Sequence, residues 1–283
     1  MIKMGIVNLT PDSFWEPSRA TTLEAVRTRI DDLVSRGCSI IDLGAVSTRP
    51  GATDVSIEEE WRRLEPVLGW IKTAGFPSQD LRHPRLRGGT MSEANGGAKQ
   101  RSCEAVSEGI PAVSIDTTSS EIVRRTFNLI GSFIVNDISA GEDDSAMLPT
   151  VAELGLPYVA MHKRGNPRSM DALTDYPQGV VKAVDEYFAA FAEKASALGI
   201  SDWILDPGFG FAKTAGQNWE LLENLPAFRH FGRPILVGVA DKRFTRTPNP
   251  FVSTVQPDSV ESSGSAYAER LAEQRGADIL RIH

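Results

Sequence analysis

The chain has 283 residues, 41% of them hydrophobic, a formal charge of −7 and two cysteines, Cys38 and Cys103. That length is normal for one α/β barrel, the acidic balance argues against a nucleic-acid surface, and no apolar run approaches the roughly 18 residues of a membrane-spanning helix. Two widely separated cysteines exclude a disulfide framework or a cysteine zinc site and fit the reducing cytoplasm.

In chain order, short apolar runs alternate with longer helical patterns. IKMGIVNLT (2–10) opens the chain, so no secretory leader is expected before it. TLEAVRTRIDDLVSRG follows, with Leu23, Val26, Ile30, Leu33 and Val34 on one helical face and a stop at Gly37. The next runs are SIIDLG (39–44), AVSIDT (112–117), FIVNDIS (133–139) and YVAMH (158–162). After an amphipathic stretch at 180–199 come WILDPG (203–208), PILVGV (234–239) and ADILRIH (277–283). Eight continuously apolar strands separated by amphipathic helices predict a parallel sheet buried on both faces. The expected fold is a single-domain (β/α)8 TIM barrel over residues 1–283.

Two irregularities break the pattern. GFPSQDLRHPRLRGGTMSEANGGAKQ (75–100) is polar, glycine-rich and aperiodic, and predicts a flexible insertion at 75–110 between strands two and three. Its basic residues would suit an anion-binding lid, although a solvated loop is the simpler reading. The chain also ends at His283 on the eighth strand, where a barrel expects an eighth helix.

Barrel chemistry sits at the C-terminal strand ends. Those ends carry Asn8, Asp42, Asp116, Asn136 with Asp137, His162, Asp206, Lys242, and Arg281 with His283. Each alone has a bland explanation, such as a helix cap, a turn or a satisfied rim histidine. Together they predict a polar ring. Carboxylates and carboxamides without a Cys/His cluster suit a flat heterocycle bearing N–H donors better than a catalytic zinc. Ser47, Thr48 and Arg49, with Arg281 and His283, offer donors and charge to a phosphate-type anion.

DPGFGFAKT (206–214) ends like a nucleotide-binding loop, but Pro207 and Ala212 stand where G-x-x-x-x-G-K-[ST] requires glycine. A dinucleotide fingerprint also fails, for want of a third glycine. No Gly-x-Ser-x-Gly elbow is present, which argues against covalent acyl transfer.

MGIVNLTPDSF (4–14), IIDLGAVSTRPGA (40–52), SIDT (114–117), VNDIS (135–139), YVAMH, ILDPGFGFAKT (204–214) and ILRIH (279–283) resemble, in order, the motif series of the dihydropteroate synthases. The resemblance implies condensation of 6-hydroxymethyl-7,8-dihydropterin diphosphate with p-aminobenzoate, giving 7,8-dihydropteroate and diphosphate with Mg²⁺. It assigns the pterin pocket to Asp116, Asn136, Met161, Asp206, Gly210, Phe211, Gly238, Lys242 and Arg281. It places Asn8, Arg49, Arg281 and His283 around the diphosphate, with Asn8 at the metal, and Ser47, Thr48, Arg49 and Pro50 at p-aminobenzoate. Asp116, Lys242 and Arg49 are its catalytic candidates, and Lys213 falls to the rim or the start of a helix. A cytoplasmic, sulfonamide-targeted homodimer without nucleic-acid or membrane partners is implied.

Two departures stand beside the match. Ala240-Asp241-Lys242 replaces the family's Ser-Arg-Lys, and Ala45-Val46 replaces Gly-Glu. They keep open a weakened or sulfonamide-insensitive pterin-binding homologue. A methyl transfer from a methylated pterin is a third reading, and the STRPGA loop has no task in it.

Overall fold

A computed structural model describes residues 1–10, 23–47, 55–75, 111–165, 172–251 and 264–283. Eight strands and seven α-helices alternate: β1 Ile2–Asn8, α1 Leu23–Ser35, β2 Ile40–Gly44, α2 Ile57–Thr73, β3 Ala112–Asp116, α3 Ser120–Ile130, β4 Ile134–Asp137 and α4 Met147–Leu154. They continue with β5 Tyr158–Met161, α5 Val180–Leu198, β6 Trp203–Asp206, α6 Ala215–Glu223, β7 Leu236–Val237, α7 Ser265–Gln274 and β8 Ile279–Ile282, the last element. Short 3-10 helices at Leu225–Phe231 and Arg243–Arg246 flank β7. All strand pairs are parallel, in the order β6-β5-β4-β3-β2-β1-β8-β7. A parallel bridge between Leu205 and Ile235 joins the two ends of that order and closes the TIM barrel.

The strands are shorter than their apolar runs. β6 stops at Asp206 because Pro207 has no amide to continue the ladder, and β7 keeps two residues between Pro234 and Gly238. Helix limits follow local chemistry: Gly199 ends α5 in the left-handed conformation, and Ser56 caps α2 by accepting from the Glu59 amide. Residues 76–110, which hold most of the predicted insertion, lie outside the described set. Among the described residues no helix is long and apolar enough to cross a membrane.

Alternation along the strands separates two apolar layers. Met4, Ile40, Ala112, Ile134, Val159, Ile204, Leu236 and Ile279 form a cluster of their own, one residue from every strand. This ring plugs the barrel interior. Their strand neighbours, among them Ile41, Val113, Val135, Tyr158, Trp203 and Leu280, belong instead to the larger core between sheet and helices. Ile134→Ala, which cuts the ring at a fully buried position, should lower unfolding free energy by about 2–5 kcal/mol, measured by urea denaturation.

Candidate active site

Two residues beyond each member of the apolar ring, the same face carries Ile6, Asp42, Ser114, Asn136, Met161, Asp206, Gly238 and Arg281. The interior therefore changes from hydrocarbon to a polar floor within one pleat. Asp42, Ser114, Asn136, Met161 and Asp206 are all buried. Asp137, adjacent to Asn136, points the other way as period two requires. It accepts from the Ser139 amide and hydroxyl and the Gly141 amide, and from the Tyr158 hydroxyl at 2.6 Å, so it organises the loop after β4 and is not part of the pocket.

Arg281 is the junction of the floor. Its Nε donates to Asp42 Oδ2 at 2.8 Å and its Nη2 to Asp116 Oδ2 at 2.9 Å. Asn136 Nδ2 donates to the same Asp42 oxygen at 3.1 Å. Burial opposes the Arg281 charge, but Asp42 and Asp116 outweigh it and raise its pKa. Burial pushes Asp116 up to about 7, Arg281 pulls against that, and Asp42, Glu60 and Asp137 add to it. Asp42 Oδ1 and Ser114 Oγ, neighbours in the β2–β3 register, are buried without a hydrogen-bond partner. Such atoms cost free energy until something bonds them.

Asp206 ends β6, with Oδ1 accepting from the Gly208 amide at 2.8 Å. Burial raises its pKa, while that amide, Lys242, Arg281 and Lys213 lower it. The following loop doubles back tightly. Gly208 (φ +70°) lies so close to the β5 end that an added Cβ would fall 2.0 Å from the His162 carbonyl oxygen. Gly210 (φ +83°) leaves room for Lys242, whose Nζ stands 5.0 Å from the centre of the Phe211 ring. Ala212 is also left-handed, at φ 50°, and its carbonyl accepts from the Tyr176 hydroxyl at 3.0 Å.

At the other side of the mouth, a Cβ on Gly44 would sit 3.7 Å from both Asn8 Oδ1 and Asp116 Oδ2. The glycine keeps the space between those two groups open. A Cβ on Gly238 would likewise stand 3.8 Å from the Arg281 Cβ. His283 is held down to about 4 by burial first, then by Arg281, while Asp241 opposes the fall. At neutral pH it is an uncharged imidazole, so it brings an N–H donor and not the positive charge expected of it. Ser47 is half-buried just past β2, and Arg63 Nη1 anchors that turn on the Ala45 carbonyl at 2.8 Å. Thr48, Arg49 and Pro50 lie outside the described residues.

The family model of the pterin binding enzymes matches residues 4–78 and 101–283. The chain belongs to the pterin binding enzyme family. The unmatched internal residues, 79–100, fall inside the stretch read as an insertion. A dihydropteroate synthase from Synechocystis sp. is 34% identical, with 99% of this chain and 84% of that protein covered. The Xanthomonas albilineans dihydropteroate synthase with 4-aminobenzoic acid superposes with a TM-score of 0.73 at 31% identity, covering 100% of this chain and 87% of that one. The Yersinia pestis dihydropteroate synthase in a sulfonamide drug complex gives 0.76 at 28% identity, over 100% and 88%.

Within this pterin binding enzyme, the fold brings Asn136, Met161, Asp206, Gly238 and Arg281 into one layer, with Asn8, Asp116, Lys242 and His283 at its rim. Sequence reading overlooked Ser114 and left Asp42 out of the pocket, although counting two residues on from the apolar ring finds both. Of the two places read for Lys213, the structure gives the helix start: it precedes the Thr214 cap of α6. It is buried and not on the rim, with Nζ against His162 Nδ1 at 3.0 Å and donating to the Gly208 and Phe211 carbonyls at 2.8 and 2.9 Å. His162 is buried as well, edge-on to Tyr187 at 4.9 Å. Gly208→Ala must displace the β5 end, so it should cost at least about 2 kcal/mol through strain and overpacking. A fall in melting temperature together with loss of ligand binding is the expected measurement.

Proposed function

We propose that this chain is a dihydropteroate synthase, condensing 6-hydroxymethyl-7,8-dihydropterin diphosphate with p-aminobenzoate to 7,8-dihydropteroate and diphosphate. The observation that carries the reading is the buried acceptor layer of Asp206, Asn136 and Asp42 above an apolar plug. It presents oxygens where the amino and ring N–H groups of a pterin need them. Relatives named for this activity align over nearly the whole chain.

In this reading the pterin lies on the floor with its N–H edge toward Asp206 and Asn136. Phe211, beneath Lys242, closes over the ring, with Met161 below. The C–O bond to diphosphate breaks with its electron pair leaving on oxygen, and the aniline nitrogen forms the new C–N bond. The proton it loses passes to diphosphate or solvent. Asp116 stabilises positive charge at the pterin methylene, and Lys242 with the Arg49 loop receives the negative charge of the leaving group. The family resemblance assigns Arg49, Thr48, Pro50 and Ser47 to p-aminobenzoate.

Among the described residues no group of three His, Cys, Asp or Glu side chains is placed to hold a metal. Asn8 Oδ1, beside Asp116 across Gly44, offers a hard oxygen donor, the type Mg²⁺ prefers. That suits an ion held mostly by water and diphosphate oxygens. Bound there, Mg²⁺ would neutralise charge on the departing diphosphate.

The weakened-homologue reading draws on Asp241. This residue is left-handed at φ 54°, its amide donates to Ser265 Oγ, and its field reaches His283. A carboxylate at that rim repels an anionic leaving group.

Two outcomes are expected. Asp206→Asn exchanges a double acceptor for an amide that is half donor, so pterin affinity should fall by about 2–3 kcal/mol in calorimetry; unchanged affinity would remove Asp206 from the pocket. Purified protein should release diphosphate only when p-aminobenzoate is present, and Asp241→Asn should strengthen inorganic diphosphate binding about two-fold at low salt. That gain should shrink at high salt, because the rim is solvent-screened.

A further inference from the structure

Lys213 has no task in the reaction as described, yet it is a buried cation. An ammonium has three N–H donors and accepts nothing. Here three acceptors surround it: the Gly208 carbonyl, the Phe211 carbonyl and His162 Nδ1. With Lys213 charged, His162 must present an Nδ1 lone pair, so its proton sits on Nε2. Burial, followed by the Lys213 charge and Arg164, lowers the His162 pKa and keeps that ring neutral.

The two carbonyls belong to the loop that carries Gly210 and Phe211. Its other polar groups are tied to the frame as well. Asn218 Oδ1 accepts from the Gly210 amide at 2.7 Å, and Asn218 Nδ2 donates to the Lys213 and Thr214 carbonyls. Thr214 caps α6 through a reciprocal pair with Gln217. The loop is therefore fixed from below by Lys213 and from behind by α6, with left-handed residues at 208, 210 and 212. Phe211 and Lys242 meet above it.

Lys213 also acts on Asp206 through space. The lysine pKa is lowered to about 7: burial drives the fall, Asp206 opposes it and Lys242 reinforces it. Reciprocally, Lys213 is one of three side-chain cations, with Lys242 and Arg281, that favour the ionised form of Asp206 against burial. Lys242 and Arg281 also face the substrate or other carboxylates. Lys213 faces neither.

We propose that Lys213 is a positioning residue for pterin binding: its ammonium, held against the Gly208 and Phe211 carbonyls and His162, fixes the Gly208–Phe211 backbone of the β6 loop. The inference rests on the synthase reading above. It assigns no substrate contact to Lys213, which acts only through the loop and through Asp206.

The test uses the full chain with 6-hydroxymethylpterin as the calorimetric probe, across pH. Lys213→Met should weaken pterin binding roughly tenfold or more. It should also raise KM for the pterin diphosphate while leaving KM for p-aminobenzoate in place. Because the ammonium lowers the Asp206 pKa, its removal should move the acidic limb of pterin affinity to higher pH. Lys213→Gln retains N–H donors without the charge, so it should shift that limb while losing less affinity. In the Asp206→Asn background, neither variant should move the limb further.

A folded Lys213→Met protein with wild-type pterin affinity and an unmoved acidic limb would overturn the proposal. Failure of both variants to unfold cooperatively would do the same, by assigning the lysine to folding alone. Wild-type protein that does not bind the probe would instead remove the synthase reading itself.

Discussion

One guanidinium between two carboxylates organises the top of this barrel. Arg281 of β8 reaches Asp42 on β2 and Asp116 at the end of β3, spanning strands on both sides of β1. Desolvating three charged groups together is costly unless each is paired in good geometry. The two-pronged donor face of arginine meets that condition, whereas a lysine would have to meet both carboxylates from a single nitrogen, without the planar fork. Asn136 adds a further donor to Asp42, so the floor is braced across β8, β2, β3 and β4. Below it lies only hydrocarbon. The low dielectric of that plug strengthens the pairing and makes any unpaired group above it expensive.

The same network leaves deliberate deficits. Asp42 Oδ1 and Ser114 Oγ are buried and unbonded, and burial raises the Asp116 pKa against the pull of Arg281. A flat ligand rich in N–H groups repays the first deficit. A cationic centre above Asp116 repays the second, since it stabilises the charged carboxylate that burial disfavours. The site is thus built to gain more from its ligand than from water.

How much of this was legible in the sequence depended on whether the information was periodic or three-dimensional. Eight apolar runs with polar ends identified the barrel and its active rim, because strand burial and side-chain alternation are local properties. Asn136, Asp206 and Arg281 were found in that way. Asp42 was visible at a strand end, but its partnership with Arg281 crosses 239 residues of sequence and needed the closed sheet. Lys213 was legible as the start of a helix, but its burial was not, for the same reason. Its enclosure comes from His162 at the end of the neighbouring strand β5 and from carbonyls exposed by left-handed residues, including Ala212, whose conformation nothing in its side chain announces. His283 was read within a set offering donors and charge to an anion; burial and the neighbouring Arg281 lower its pKa, so it contributes as a donor.

The vertical order of charges follows from the polarity of the substrate proposed for it. Carboxylates and a carboxamide occupy the deepest polar layer, where solvent is excluded and where the proposed pose puts the hydrogen-bond-donating edge of the pterin. Lys242 stands higher, at the start of the 3-10 helix after β7, where a diphosphate can be partly hydrated. Reversing the order would bury the diphosphate, with the heavier desolvation cost, and expose the weaker hydrogen-bonding edge to competition from water. A buried cation is tolerated only where it is fully paired, as with Arg281 between its two acids and Lys213 among three acceptors. Asp241 runs against that order, since it places a carboxylate at the level where anions enter. Its left-handed backbone and its link to Ser265 of α7 keep it there. The chain therefore carries a repulsive group at the one layer of the site where solvent screening makes it least damaging.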